Sequence, residues 1–177
     1  MSSDRKYMVL SAIGPDRPGL VQEISQAIHA AAANLEDSRM AILGGEFALI
    51  LLFSGSPSAI EAVRTNTGTF ESRLGLRVSL KETTRTAAGE AFLPYRLRVS
   101  GVDRPGIVAS VSRVLAGRSI NVASLESRVT NAPLSGTPMF VLVAELQVPS
   151  AVALSRFRKD LAAACDDDNL DFSLEAV

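Results

Sequence analysis

The sequence has little of the chemistry on which most enzymes depend. Its 177 residues include one cysteine, one histidine and no tryptophan. A single cysteine cannot form an intrachain disulfide, which is typical of a protein in a reducing compartment. Nucleophilic mechanisms and zinc sites need clustered cysteine, histidine and carboxylate groups, and His29 and Cys165 lie far apart in the sequence. We therefore expect no catalytic residue, no metal site and no cofactor.

The chain also lacks a charge excess and a long apolar run. It has 18 Lys and Arg residues against 19 Asp and Glu residues, for a net charge of −1. A nucleic-acid-binding protein usually carries a basic surface, so direct DNA or RNA binding is not expected. The longest apolar run, 47–53, is far shorter than the roughly 20 residues of a membrane span. Since the N-terminus has no signal-peptide pattern, we expect a soluble cytoplasmic protein.

What the chain does contain is a repeat. Gly-Pro-Asp-Arg-Pro-Gly-Leu-Val at 14–21 recurs as Gly-Val-Asp-Arg-Pro-Gly-Ile-Val at 101–108, an offset of 87 residues (101 − 14). Asn34 and Asn121 keep the same offset. The sequence therefore predicts two modules, over 5–83 and 93–177, joined by a linker at 84–92 that has no apolar periodicity. The second copy has a longer hairpin loop, at 131–138, where the first has only Gly44-Gly45.

Apolar periodicity predicts the same order of elements, βαββαβ, in both copies. In the second copy, Tyr95, Leu97 and Val99 alternate with polar residues as in a half-buried strand. Leu74, Leu76, Val78 and Leu80 predict the last strand of the first copy. The fold class is therefore α+β, with two ferredoxin-like modules, each a four-stranded antiparallel sheet with two helices on one face.

One strand departs from the alternation expected of such a sheet. The segment 47–53 is apolar on both faces. A sheet covered on one side only should alternate apolar and polar residues. We therefore expect its second face to be buried as well, against the other copy or another subunit.

The repeated motif falls where the first strand of each copy gives way to the first helix. We interpret Asp16 and Asp103 as N-caps, and Pro18 and Pro105 as first-turn residues. Gly14 and Gly101 would allow a sharp turn off the strand, and Gly19 and Gly106 would keep the helix start free of side chains. The exposed N–H groups would then favour a carboxylate or phosphate. A strand-to-helix turn without any ligand explains the same residues.

The motif, the following Asn and the order of elements resemble the ACT domain, twice, over nearly the whole chain. A chain of two such modules, with Asp37-Ser38-Arg39-Met40 and Leu43-Gly44-Gly45-Glu46-Phe47 in the first, is similar to the glycine cleavage system transcriptional repressor family. The resemblance implies a regulator that binds a small amino acid, glycine or a relative, at module interfaces. It also implies a homo-oligomer, a dimer, that acts through a partner transcription factor rather than on DNA. The ligand-binding residues it implies are Gly14, Asp16, Arg17, Gly19, Leu20 and Asn34 in the first copy, and Gly101, Asp103, Arg104, Gly106, Ile107 and Asn121 in the second.

Other signals are weaker. Gly44-Gly45-Glu46-Phe47 resembles a truncated diguanylate cyclase signature, but it lies in a predicted hairpin and lacks one residue. Asp166-Asp167-Asp168 lacks the spacing and glycine turn of a calcium loop, so a solvated helix end is the better interpretation. Two alternatives to the sensor stay open: an association module with no ligand response, and a regulatory subunit of an amino-acid enzyme.

Overall fold

The computed structural model describes residues 5–84 and 91–177. The chain divides into two compact units, Met1–Ala87 and Ala88–Val177, here called unit one and unit two. Most of the predicted linker, 85–90, lies outside the described residues. Each unit is a complete βαββαβ module with its own sheet and its own core.

Unit one forms one antiparallel sheet with two helices. Its elements are β1 (Lys6–Pro15), α1 (Leu20–Ala30), β2 (Asn34–Leu43), β3 (Glu46–Gly55), α2 (Pro57–Leu74) and β4 (Arg77–Thr83). The strand order is β2-β3-β1-β4, which leaves β2 and β4 as the edges.

Unit two repeats this topology. Its elements are β5 (Phe92–Val102), α3 (Ile107–Ala116), β6 (Asn121–Asn131), β7 (Pro138–Pro149), α4 (Leu154–Asp167) and β8 (Leu170–Ala176), in the strand order β6-β7-β5-β8. The predicted α+β ferredoxin-like class is therefore confirmed for both copies.

The core of each unit lies between the sheet and its helices. In α1, Leu20, Ile24 and Ile28 are buried because their spacing places them on one helix face. They share a cluster with Leu10 of β1 and Phe53 of β3, both fully buried. The sheet thus presents every second residue of its central strands to the helices, as the two-residue strand period requires.

The opposite face of the first sheet is apolar but is not covered by any element of unit one. We call it the outer face of sheet one. Its central residues alternate with the core residues of β1 and β3: Val9, Ser11, Ile13, Ala48, Ile50 and Leu52. Ile13 and Ile50 are each 51% exposed.

The local signals for turns and caps had mixed outcomes. Gly44 and Gly45 form the predicted two-residue turn, with φ of 61° and 86°. Ser56 caps α2 through Oγ, which accepts from the Ala59 N–H, and Pro57 follows as the first helical residue. The predicted start of β4 was wrong, because Leu74 ends α2 and Gly75, at φ 68°, separates the helix from the strand.

Candidate functional site

The start of the first helix in each unit is built differently from the prediction. Gly19 and Gly106 are the N-caps of α1 and α3, with φ of 97° and 101°. The interpretation of Asp16 and Asp103 as N-caps was wrong, because neither helix has a side-chain cap hydrogen bond. Glycine adopts this left-handed backbone conformation without strain because it has no Cβ atom, which explains why both caps are glycine.

The aspartates instead mark where the loop joins the neighbouring hairpin. The Asp16 N–H donates to the Gly45 carbonyl over 3.0 Å, and the Asp103 N–H donates to the Pro138 carbonyl over 2.9 Å. Pro18 and Pro105 precede the N-caps, so their placement in the first helical turn was also wrong. The loop is therefore held to the sheet by its backbone.

Gly14 and Gly101 do not turn the chain, because both lie within strands β1 and β5. Each allows a close approach to the segment before the last strand. A Cβ on Gly14 would lie 2.6 Å from the Gly75 carbonyl oxygen. A Cβ on Gly101 would lie 2.6 Å from Leu170 Cδ2 and 3.0 Å from the Asn169 carbonyl oxygen. The glycine serves packing in both repeats, and the predicted role in a sharp turn was wrong.

The loop of unit one opens onto a surface groove of about 540 Å³. Gly19, Leu20 and Val21 lie along one side of it, and Met40 and Ile42 of β2 lie along the other. The first N–H groups of a helix have no acceptor within the helix and carry a partial positive charge. The groove therefore combines an anion-binding end with apolar walls, as small-molecule sites commonly do.

The arginine of the motif has different partners in the two units. Arg17 Nη2 donates to Glu23 Oε1 in α1 over 3.1 Å, and Arg73 of α2 lies 3.9 Å from the other Glu23 oxygen. Arg104 instead binds the far end of α4, where it pairs with the Asp168 carboxylate and donates to the Asp167 carbonyl over 3.2 Å. Ser110 stands in unit two at the position of Glu23.

The two asparagines lie away from the motif loop of their own unit. Asn34 and Asn121 begin β2 and β6, as predicted. The motif loop contacts the other end of β2, at the hairpin, and ten residues of strand at about 3.3 Å each span roughly 30 Å. Asn34 Nδ2 donates to Glu36 over 3.0 Å, and Asn121 Nδ2 donates to Gln147 over 2.7 Å. One unit therefore does not bring its asparagine and its loop together.

The groove walls differ between the units. In β6, Ser127 and Val129 occupy the positions of Met40 and Ile42, since they pair with Leu142 and Phe140 as Met40 and Ile42 pair with Leu49 and Phe47. Sequence reasoning missed Glu23, Met40 and Ile42. The alternation of Met40 and Ile42 on the strand that follows the motif helix was the signal that could have revealed the groove wall.

The remaining reactive groups do not form a second centre. Cys165 is buried, and burial together with Asp166, Asp168 and Asp171 raises the pKa of its thiol to about 11. Its thiol is therefore protonated and unreactive at neutral pH. Within residues 5–84 and 91–177, no cluster of three or more His, Cys, Asp or Glu side chains could hold a metal ion. Among the helices described, none has the length and apolarity to cross a membrane.

This fold, repeated in tandem with a glycine-capped loop at each first helix, defines a pair of ferredoxin-like modules of one kind. Models of the ACT domain match residues 6–81 and residues 95–159. The chain belongs to the ACT domain family and carries the domain twice.

Similarity to whole proteins extends over nearly the full chain. The glycine cleavage system transcriptional repressor of Escherichia coli (strain K12) is 27% identical over 175 residues, which cover 99% of this chain and 92% of the repressor. A crystal structure of a putative glycine cleavage system transcriptional repressor has a TM-score of 0.75 and 28% identity, with 99% of both chains covered. An unknown protein from Galdieria sulphuraria has a TM-score of 0.82 and 31% identity, with 98% of this chain and 99% of that chain covered.

Proposed function

We propose that the chain is a non-catalytic regulator that binds a small amino acid, glycine or a close relative, and modulates transcription through a protein partner. The observation that carries the proposal is the glycine-capped N-terminus of α1, which opens onto the groove beside β2. The similarity of the whole chain to repressors named for the glycine cleavage system supports both the ligand class and the regulatory role.

The loop of unit one suits the two charges of an amino acid. The ligand's carboxylate would accept from the first N–H groups of α1, next to Arg17. Glu23 Oε1 lies near Gly19, at 4.0 Å from the position that a Cβ atom on Gly19 would occupy. Glu23 lines the neighbouring cleft between α1 and α2 rather than the groove itself. Its carboxylate would therefore reach the ligand's ammonium group only at the Gly19 end of the groove, and Arg17 would keep Glu23 oriented. A small ligand side chain would face Met40 and Ile42.

The equivalent loop of unit two is a weaker candidate for the same ligand. Ser110 replaces Glu23, so the ammonium group would have no carboxylate at that position. Arg104 is bound to Asp168 and to the Asp167 carbonyl. We propose that the loop of unit two binds the ligand less tightly than the loop of unit one does. Its ligand-binding residues would be Gly101, Asp103, Arg104, Gly106 and Ile107.

Asn34 and Asn121 would enter a site only across an interface between modules. Since Asn34 lies at the far end of β2 from its own loop, it can reach a ligand only at the loop of another module. The edge position of β2 leaves its outer hydrogen-bonding groups available for such a contact.

A protein partner, rather than DNA, fits the charge of the chain. Affinity for DNA comes largely from basic side chains that neutralise phosphates, and the net charge here is −1. We therefore propose that ligand binding changes the surface offered to a transcription factor, since a ligand shifts an equilibrium only by preferring one state.

One observation favours a second candidate, an association module with no ligand response. Ile13 and Ile50, on the outer face of sheet one, are large apolar side chains that are each about half exposed. Exposed apolar patches commonly mark protein interfaces.

Thermal unfolding of the full chain against a panel of amino acids separates the two candidates. A ligand at about 100 times its dissociation constant stabilises the folded state by about 2.7 kcal/mol. We expect glycine or another small amino acid to raise the melting temperature by several degrees. If no amino acid shifts it, the sensor is wrong and the association module stands.

A further inference from the structure

We propose that the outer face of sheet one is a dimer interface that receives the same face of a second copy of the chain. The two copies would be related by a two-fold axis parallel to the strands. The proposal is independent of ligand binding, because the motif groove opens on the helix side of the sheet, beside Met40 and Ile42.

The face is apolar at its centre and is not covered by the described helices and strands of unit one. Val9, Ile50 and Leu52 line a shallow depression of about 310 Å³, with Asp37 and Arg39 at its margin. The central residues of β1 and β3 on this face carry no charge over 9–13 and 48–52. Exposed apolar surface of this extent is stabilised by burial against a similar surface.

The corresponding face of unit two in that second copy has a different character, which argues against it as the occupant. Its central strands carry Arg96, Arg98 and Glu145, and Arg96 lies 3.8 Å from Glu145. Placing these charges on Val9, Ile50 and Leu52 would remove them from water without new partners, which costs several kcal/mol for each buried ion. A second copy of sheet one carries no such penalty.

Strand register makes one row of the face complementary to itself, while Arg39 and Arg77 lie in neighbouring rows at the two margins. Asp37 pairs with Leu52, Leu52 with Val9, and Val9 with Lys81, so these four residues form one row across the sheet. The row is negative at the β2 edge, apolar in the middle and positive at the β4 edge.

A two-fold axis parallel to the strands lays this row on its own copy in reverse. Asp37 of each copy then faces the partner's Lys81, and Leu52 faces the partner's Val9. Within one chain, Asp37 and Lys81 lie three strand spacings apart, about 14 Å, so they cannot pair with each other. Arg39, which donates to Asp37 over 2.6 Å, would lie at the rim beside the partner's Ser79.

The area is sufficient for a reversible dimer. Four strands about 4.8 Å apart, with about eight residues each at about 3.3 Å, cover roughly 500 Å² per copy. The two copies together would bury on the order of 1,000 Å², the lower bound of specific interfaces. Face-to-face sheets pack with their strands nearly aligned, as this arrangement requires.

Sedimentation equilibrium of the full chain tests the interface. We expect a reversible monomer–dimer equilibrium, and we expect Ile50→Asp to raise the dimer dissociation constant by at least about tenfold. The variant buries a carboxylate in the apolar centre, and its cross-strand neighbour Arg39 lies at the rim, where its charge only partly offsets that burial. Val143→Asp is the matched control, since Val143 holds the same register position on the outer face of unit two. It should leave the equilibrium unchanged. Circular dichroism on both variants establishes that each is folded.

Charge exchange tests the orientation of the two copies. Asp37→Lys and Lys81→Asp should each weaken the dimer, and the double variant should restore most of the lost affinity, which a purely structural role of either residue would not do. A monomeric wild-type chain, a folded Ile50→Asp that still dimerises, or a double variant weaker than either single one would each overturn the proposal. Glycine binding by Ile50→Asp, measured alongside, reports on the amino-acid site separately.

Discussion

Arg17 and Arg104 hold the same position in the two repeats, yet each binds a carboxylate on a different helix of its unit. Arg17 donates to Glu23, within the helix that follows it, whereas Arg104 reaches Asp168 at the end of the second helix of its unit. Both copies of the motif share Asp-Arg-Pro-Gly, yet the arginine has a different partner in each. We expect this difference to make the two loops unequal as ligand sites.

Glu23→Gln tests that inequality. If Glu23 binds the ligand's ammonium group, loss of its charge should weaken amino-acid binding by at least about tenfold, since hydrogen bonds to charged groups contribute about 1.5–3 kcal/mol. Stability should change by less than about 1 kcal/mol, because both side chains of the pair with Arg17 are partly exposed to solvent. Calorimetric titration measures the affinity. Ser110→Ala, at the same position in unit two, is the control, and an equal loss in both variants would contradict the assignment.

The left-handed cap at Gly19 makes a prediction about stability. Gly19→Ala places a Cβ in open space, with Glu23 Oε1 at 4.0 Å as its nearest neighbour, so its cost comes from the φ of 97°. We expect a loss of about 1–2 kcal/mol in the free energy of unfolding. Gly68→Ala, in the exposed interior of α2, should instead stabilise the chain by about 0.5–1 kcal/mol. Urea denaturation measures both, and a neutral Gly19→Ala would mean that the loop relaxes freely.

Gly19 also shows how far the sequence determines this site. The periodicity that predicts the strands and helices depends on near neighbours. It gave the correct order of elements in both copies, although it began β4 too early. Whether Asp16 or Gly19 caps α1 depends on a long-range contact, the Asp16 N–H donating to the Gly45 carbonyl, which fixes the loop before the helix begins. No local pattern contains that information.

The position of Asn34 is a different case. Once the βαββ order is known, α1 must run back along the sheet, so a residue at the start of β2 lies at the opposite end from the motif. The topology alone was therefore enough to separate Asn34 from the loop of its own unit. The partners of Arg17 and Arg104 could not be predicted in this way, because Glu23 and Asp168 lie in different elements at very different sequence separations.

Ala32 offers a stabilising substitution. It follows α1 at a φ of 57°, a left-handed conformation that glycine adopts without strain. Ala32→Gly should raise the free energy of unfolding by up to about 1 kcal/mol. Ala62→Gly, at an exposed position inside α2, should lower it by a similar amount, because glycine there loses more backbone entropy than alanine. Chemical denaturation of the two variants should give changes of opposite sign, and a loss in both would rule out strain at Ala32.

Cys165 predicts how stability depends on pH. Burial and the nearby Asp166, Asp168 and Asp171 raise the pKa of its thiol from 9.0 to about 11, so the folded chain keeps the proton longer than the unfolded chain does. Between these two values the unfolded state binds fewer protons, and the free energy of unfolding must fall as the pH rises. The contribution is fully present below about pH 9 and is lost toward pH 11. Denaturation curves at several pH values measure it, with Cys165→Ala as the control that should lack this component.

The same burial should protect the thiol from a disulfide reagent at pH 8 until the chain unfolds. Rapid labelling of the folded protein would show that α4 opens far more readily than its packing indicates.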